Sequence, residues 1–161
     1  MISNCLASAW GLLAVLTAKF PGQYVGLCYP YEGVKQTNDV WFSTGAWLKA
    51  NPDMAAAIVI SAMQAARWTY EKKAEWVALG KQYVANLPDG VAEATYDLYA
   101  GKIGLWAVNG ALDLGFCKNE MVDLVKLGRL KAPLDCASLM TLDVQDRALK
   151  VLGKVPEPVL K

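Results

Sequence analysis

Histidine is absent from the 161-residue sequence. Its absence excludes Ser-His-Asp and Cys-His nucleophilic catalysis, imidazole acid–base chemistry and every metal site built on an imidazole. Cysteine is scarce and scattered: the four residues are Cys5, Cys28, Cys117 and Cys136. None forms a close pair of the zinc-ribbon or redox type, and an all-cysteine metal site needs distant loops to converge. The plainest expectation is buried, free, small apolar thiols, and no metal is expected. A bridge between Cys117 and Cys136 is permitted, but nothing in their spacing demands it. Charge of one sign is also lacking. Sixteen basic residues meet fifteen acidic ones for a net charge of +1, with no block of like charge. A nucleic-acid partner wants a basic stripe to neutralise phosphates, so no nucleic-acid function is expected.

Targeting signals are missing too. The first basic residue is Lys19, so residues 1–18 lack the basic n-region of a signal peptide. The apolar run over residues 5–18 is too short to span a bilayer. A structural segment is expected there, and the chain is not expected to span a membrane. The glycine-rich stretch with Gly101, Gly104 and Gly110 contains neither a Walker loop nor a dinucleotide fingerprint, and reads as a loop between helices. No cofactor is expected, and no neighbourhood marks a pyridoxal-type lysine.

What is present is a well-buried globular composition: 55% hydrophobic and 19% charged residues, with a mean hydropathy of +0.22. The length suits one domain with a real core. Near the N-terminus, Ser3 suits a helix cap, yet residues 12–17 also read as a short buried strand. Pro21 and Gly22 break the chain, residues 23–29 are rich in strand formers, and residues 33–42 form a second extended candidate.

From residue 51 the pattern becomes helical. Asn51 suits an N-cap, Pro52 the first helical position and Asp53 the positive end of the dipole. Met54, Ile58, Ala62, Ala65 and Trp68 or Thr69 recur at helical steps, while the alanines invite a close helix contact. Further helices are expected over about 72–84, with Trp76, Leu79 and Tyr83 on one side, and over 91–99. Another is expected over 113–127, ending at Gly128 as a left-handed cap, and a last one starts with Asp143 as cap and ends at Gly153. Asn86, Pro88, Asp89 and Gly90 signal a turn. The expected class is α/β but α-rich: a few N-terminal extended segments, then about five helices. Residues 1–153 form a single α-rich domain, and residues 154–161, with Pro156 and Pro158, a flexible C-terminal tail.

Three stretches taken in order resemble a known family. The first is Ala46-Trp47-Leu48-Lys49-Ala50-Asn51-Pro52-Asp53, with Trp68 closing the helix that follows. The second is Asn109-Gly110-Ala111-Leu112-Asp113, followed by Leu127-Gly128-Arg129-Leu130 and Pro133-Leu134. The third is Leu142-Asp143 with Ala148-Leu149. Over residues 21–149 the chain resembles the C-terminal half of nitrate/sulfonate/taurine or thiamine-pyrimidine type ABC-transporter solute-binding proteins, which have a type II periplasmic-binding-protein fold. Members are much longer, with two α/β lobes closing on a small ligand. The resemblance therefore implies a truncated, non-catalytic, solute-binding-protein-like module for a small polar or anionic molecule. It also implies a periplasmic location. The branch that makes a thiamine pyrimidine precursor depends on a histidine, so that chemistry is excluded here.

Most of the six tryptophans are expected to serve the core, Trp68 and Trp76 above all. Trp41 differs, because it follows the polar run Thr37-Asn38-Asp39 where the resemblance implies the crossing between lobes. Asn38 and Trp41 are the candidate ligand-binding residues, since pockets combine aromatic walls with a few polar groups. The carboxylates carry no catalytic pattern: Asp143 and Asp146 belong to a helix start, and Glu93 and Asp97 share a solvated helix face. The alternative function is a structural or self-association module. Surfaces left bare by a missing lobe tend to be covered by a second copy, so a homo-oligomer is expected.

Overall fold

Runs of helix formers bounded by proline, glycine and aspartate dominate residues 45–152. The computed structural model, which describes residues 15–16, 19–24 and 41–159, bears this out. Its regular elements are α1 (Gly45–Ala50), α2 (Pro52–Glu71), α3 (Lys73–Tyr83), α4 (Val91–Tyr96), α5 (Leu114–Lys126), α6 (Cys136–Leu139) and α7 (Asp143–Leu152). Helix α4 runs on as a π-helical segment, Asp97–Ile103. Among the described residues there is no strand. The strand part of the expected α/β class falls largely on residues outside those described, as do Trp10, Asn38, Cys5 and Cys28. Val15 and Leu16 are helical, and the Phe20 N–H donates to the Leu16 carbonyl at 2.9 Å, so there the helical alternative replaces the strand. Pro21 and Gly22 form the expected turn, with Gly22 at φ +75°.

The chain divides into two compact units. The first includes Ala66–Trp106 and has an aromatic core. Val77, Ala92, Tyr96 and Ala100 are buried, with Tyr70, Trp76, Leu87 and Trp106 packed against them. Helices α3 and α4 pack closely at Gly80, where a Cβ would meet that of Ala92 in ordinary contact at 3.7 Å. The Tyr96 hydroxyl donates to the carbonyls of Thr69 and Tyr70 at 2.8 and 3.2 Å, so this buried phenol is satisfied. The Trp106 ring meets Tyr70, Trp76 and Tyr99 at centroid separations of 6.0, 5.9 and 6.1 Å. These tilted and edge-on contacts suit the ring quadrupoles. Asn86 at φ +57° and Gly90 at φ +77° make the expected turn between α3 and α4.

The expected helix faces need correction. On α2 the buried side chains are Ala55, Ala56, Met63, Ala66 and Thr69, whereas Met54 and Ile58 are exposed. Residues 55–60 are apolar at every position, so periodicity gives no phase there. On α3, Val77 is buried while Leu79 and Tyr83 are exposed. The stretch after Tyr99, expected as loop, continues as the π-helical segment to Ile103 and stops at Gly104, whose left-handed backbone donates to the Tyr99 carbonyl.

The second unit comprises Thr37–Ala65 and Ala107–Glu157. Thr44 caps α1, its hydroxyl accepting from the Trp47 N–H at 3.1 Å. Asn51 stands between α1 and α2 with a divided role. Its carbonyl accepts from the Ala55 N–H at 3.0 Å, but its side-chain amide donates backwards to the Trp47 carbonyl. Asn51 is thus a hinge between helices rather than a side-chain N-cap. The segment 109–113 is held residue by residue. Asn109 exchanges bonds with the backbone of Val155 and also donates to Glu157, within the stretch expected as a tail. Gly110 lies at φ +79° against Gln145, and Asp113 caps α5 by accepting from the Phe116 N–H at 2.6 Å. At the other end of α5, Gly128 and Arg129 donate to Val125 and Leu124, closing a Schellman motif on the predicted glycine.

Two further expectations are corrected here. The cap position of α7 is Leu142, not Asp143. The Thr141 hydroxyl accepts from the Asp143 N–H at 3.2 Å, placing Asp143 inside the first turn. The expected free thiols at Cys117 and Cys136 are instead joined in a disulfide, with Cα atoms 6.1 Å apart. Helix packing brings residues 19 positions apart within bridging distance, which spacing alone does not disclose.

Candidate functional site

The second unit carries an open groove of about 540 Å³. Leu48 and Lys49 from α1 and Pro52 from the start of α2 form one side. Thr141 and the α7 residues Asp143, Val144, Asp146, Arg147 and Lys150 form the other. The positions follow from local chemistry. Pro52 begins a helix where its missing N–H costs nothing, which turns the chain between Lys49 and Asp53. Thr141 opens α7, so one helical face presents Val144, Arg147 and, a turn on, Lys150.

The Arg147 guanidinium donates to Asp53 Oδ1 at 2.5 Å, tying the two sides together. Asp53 is largely exposed, so this pair contributes positioning more than stability. Lys49 and Lys150 complete the positive side of a groove whose apolar surfaces are Leu48, Pro52 and Val144. Asp143 and Asp146 add negative charge at the N-terminal end of α7, where the helix dipole favours it. Such an arrangement is suited to holding a small charged or zwitterionic molecule through charge-assisted hydrogen bonds. Among the described residues no three Cys, Asp or Glu side chains gather to hold a metal ion. Nor is any described helix long and apolar enough to cross a membrane.

Of the two residues singled out from sequence, Asn38 lies outside the described residues. Trp41 precedes α1 and is 65% exposed; it does not line the groove. Sequence reasoning missed the groove itself, because its sides come from segments far apart: Asp53 and Arg147 are separated by 94 positions. The one usable signal was Asp143 and Asp146, recognised only as a helix start.

In the first unit the charged pairs are structural. Lys81 donates to Glu93 at 2.7 Å, and Lys73 is bonded to Asp97, so each pair links α3 to the chain running through α4. The Lys81 hydrogen bond, aided by its charge, holds the Glu93 carboxyl below the usual carboxylate range and raises Lys81 in turn. Burial pushes the Tyr96 phenol up. The expectation that Glu93 and Asp97 share a solvated helix face holds for the exposed Asp97, whereas Glu93 is half-buried against Lys81 with its Oε2 shielded from solvent.

No family model matches the chain, and neither a curated protein nor a solved structure is significantly similar to it.

Proposed function

We propose that the chain is a non-catalytic, solute-binding-protein-like module for a small polar or anionic molecule, which it holds in the groove of the second unit. The observation that carries this reading is the convergence of Lys49, Arg147 and Lys150 beside the Thr141 hydroxyl over apolar walls. These polar groups can orient a ligand by charge-assisted hydrogen bonds while the open side of the groove stays in water. The family resemblance supports the same class of ligand. Asn38 and Trp41 stay proposed as ligand-binding residues apart from this groove, the ring of Trp41 being exposed. The Cys117–Cys136 bond favours an oxidising location such as the periplasm, because thiols stay reduced in most cytosols.

Native mass spectrometry of the purified protein, followed by calorimetric titration with sulfate, a small sulfonate and a small dicarboxylate, tests the reading. One of these anions is expected to bind stoichiometrically, and Lys49→Glu with Lys150→Glu to abolish the heat. Absence of any carried-over molecule and of any titration heat sinks it.

A second reading, self-association as a homo-oligomer, is favoured by one specific observation. Trp41 and Phe42, adjacent in sequence, are 65% and 92% exposed, and such apolar pairs tend to be covered. Phe42→Asp separates the readings. It shifts a concentration-dependent mass in light scattering if copies associate there, and leaves anion binding untouched.

A further inference from the structure

We infer that the Cys117–Cys136 bond, rather than side-chain packing, holds the Thr141 edge of the groove, so that the groove is complete only while this bond is oxidised. Helix α5, which bears Cys117, has no buried residue. Helix α6 has one, Cys136, at 1% exposure. From Lys131 to Leu139 every residue except Cys136 is exposed, so no apolar side chain anchors the segment. The polar contacts there are local: Asp135 accepts from the Ala137 N–H and from the Ser138 hydroxyl. A four-residue helix does not sustain itself in water, so the covalent link supplies what packing does not.

The consequence reaches the groove through the chain. Thr141 lies in the groove wall and caps the first turn of α7, whose Asp143 and Val144 also face it. Gln145 and Arg147 are held separately, by Leu112 and Asp53. Release of Cys136 therefore loosens the edge formed by Thr141 and Asp143 while the far end of α7 stays docked. The inference takes its functional meaning from the groove proposed above, but its test needs no ligand.

The chemistry is a two-electron reduction by a dithiol. A thiolate of the dithiol attacks Sγ of the half-buried Cys117, the S–S bond breaks, and its electron pair passes to Sγ of Cys136, which takes up a proton. The second thiol of the reductant then displaces Cys117 from the mixed disulfide, leaving two protein thiols and a cyclic disulfide.

The test is amide hydrogen exchange of the full chain, oxidised and after dithiothreitol, with alkylation mapping to establish that Cys117 and Cys136 are both free. Exchange across residues 136–143 is expected to accelerate roughly tenfold or more on reduction while residues 91–103 keep their protection. The Cys117→Ala/Cys136→Ala variant is expected to show the same pattern without reductant. Exchange within about twofold of the oxidised protein, with both thiols alkylated, overturns the inference. Equal loss of protection in residues 91–103 also overturns it, because the bond would then hold the whole fold. Missing anion binding with the expected exchange pattern counts against the groove's proposed ligand alone.

Discussion

Gln145 grips Leu112 at both ends of one amide: its Oε1 accepts from the Leu112 N–H at 3.1 Å and its Nε2 donates to the Leu112 carbonyl at 3.2 Å. This reciprocal pair fastens α7 to the segment that leads into α5. Gln145→Ala removes both bonds from a half-buried site and is expected to cost about 1–2 kcal/mol in urea unfolding.

Gly110 is coupled to the same side chain. A Cβ at Gly110 would stand 2.3 Å from Gln145 Oε1, and its φ of +79° is itself unfavourable for other residues. Gly110→Ala is expected to cost about 1–3 kcal/mol. Combined with Gln145→Ala it should cost less than the sum of the two, since the clash disappears with the amide. Strict additivity in the double-mutant cycle would show that Gln145 moves aside freely.

Tyr96 makes a prediction about alkali. Its phenol is raised by burial, so the unfolded chain loses this proton first as pH climbs. Its contribution is present below pH 10 and is lost as pH rises through the higher folded value. Tyr96→Phe is expected to cost about 1–2 kcal/mol at neutral pH through the lost bonds to Thr69 and Tyr70, and to flatten the alkaline limb of the stability curve. Thermal unfolding between pH 8 and about 11 measures both.

The Lys81–Glu93 pair predicts the opposite limb. The folded Glu93 carboxyl lies below its ordinary 4.5, so its stabilisation is present above that value and fades as pH falls through the folded one. Lys81→Met is expected to reduce the slope of stability between about pH 5 and 3, its cost being full at pH 7 and fading as pH falls through that window. An unchanged acid limb would show that the pair is screened in solution.

Asp113 predicts a simple capping effect. Asp113→Ala should destabilise by about 1 kcal/mol and Asp113→Ser should recover most of it, read from urea midpoints.

The features legible in the sequence were those written in local backbone chemistry. Pro52 after Asn51, the turn from Asn86 to Gly90 and the glycine closing α5 each depend on a few neighbouring residues. The phase of α2 was not legible, because alanine, isoleucine and valine fill every side of residues 55–60 and burial selects among near-equals. Helices α1 and α6 are too short to display a period. Asp143 outranks Leu142 as a cap by preference, yet the cap position falls on Leu142, and the Thr141 hydroxyl accepts from the Asp143 N–H two residues on. The disulfide and the groove are relations between distant segments, and a single sequence carries no distance between Cys117 and Cys136 or between Lys49 and Lys150. Trp41 drew attention by its polar neighbours, whereas the groove is marked by charged residues that look like ordinary surface.

Asn109 sets a practical limit on where this chain can be cut. Its amide faces backbone donor and acceptor groups of Val155, so residues beyond the last helix act as a seam and not as trim. Shortening the protein to Gly153 would strip a half-buried side chain of these partners, whereas a purification handle attached after Val159 leaves the seam whole. Boundary choice for expression should therefore follow hydrogen bonding and not the end of regular helix.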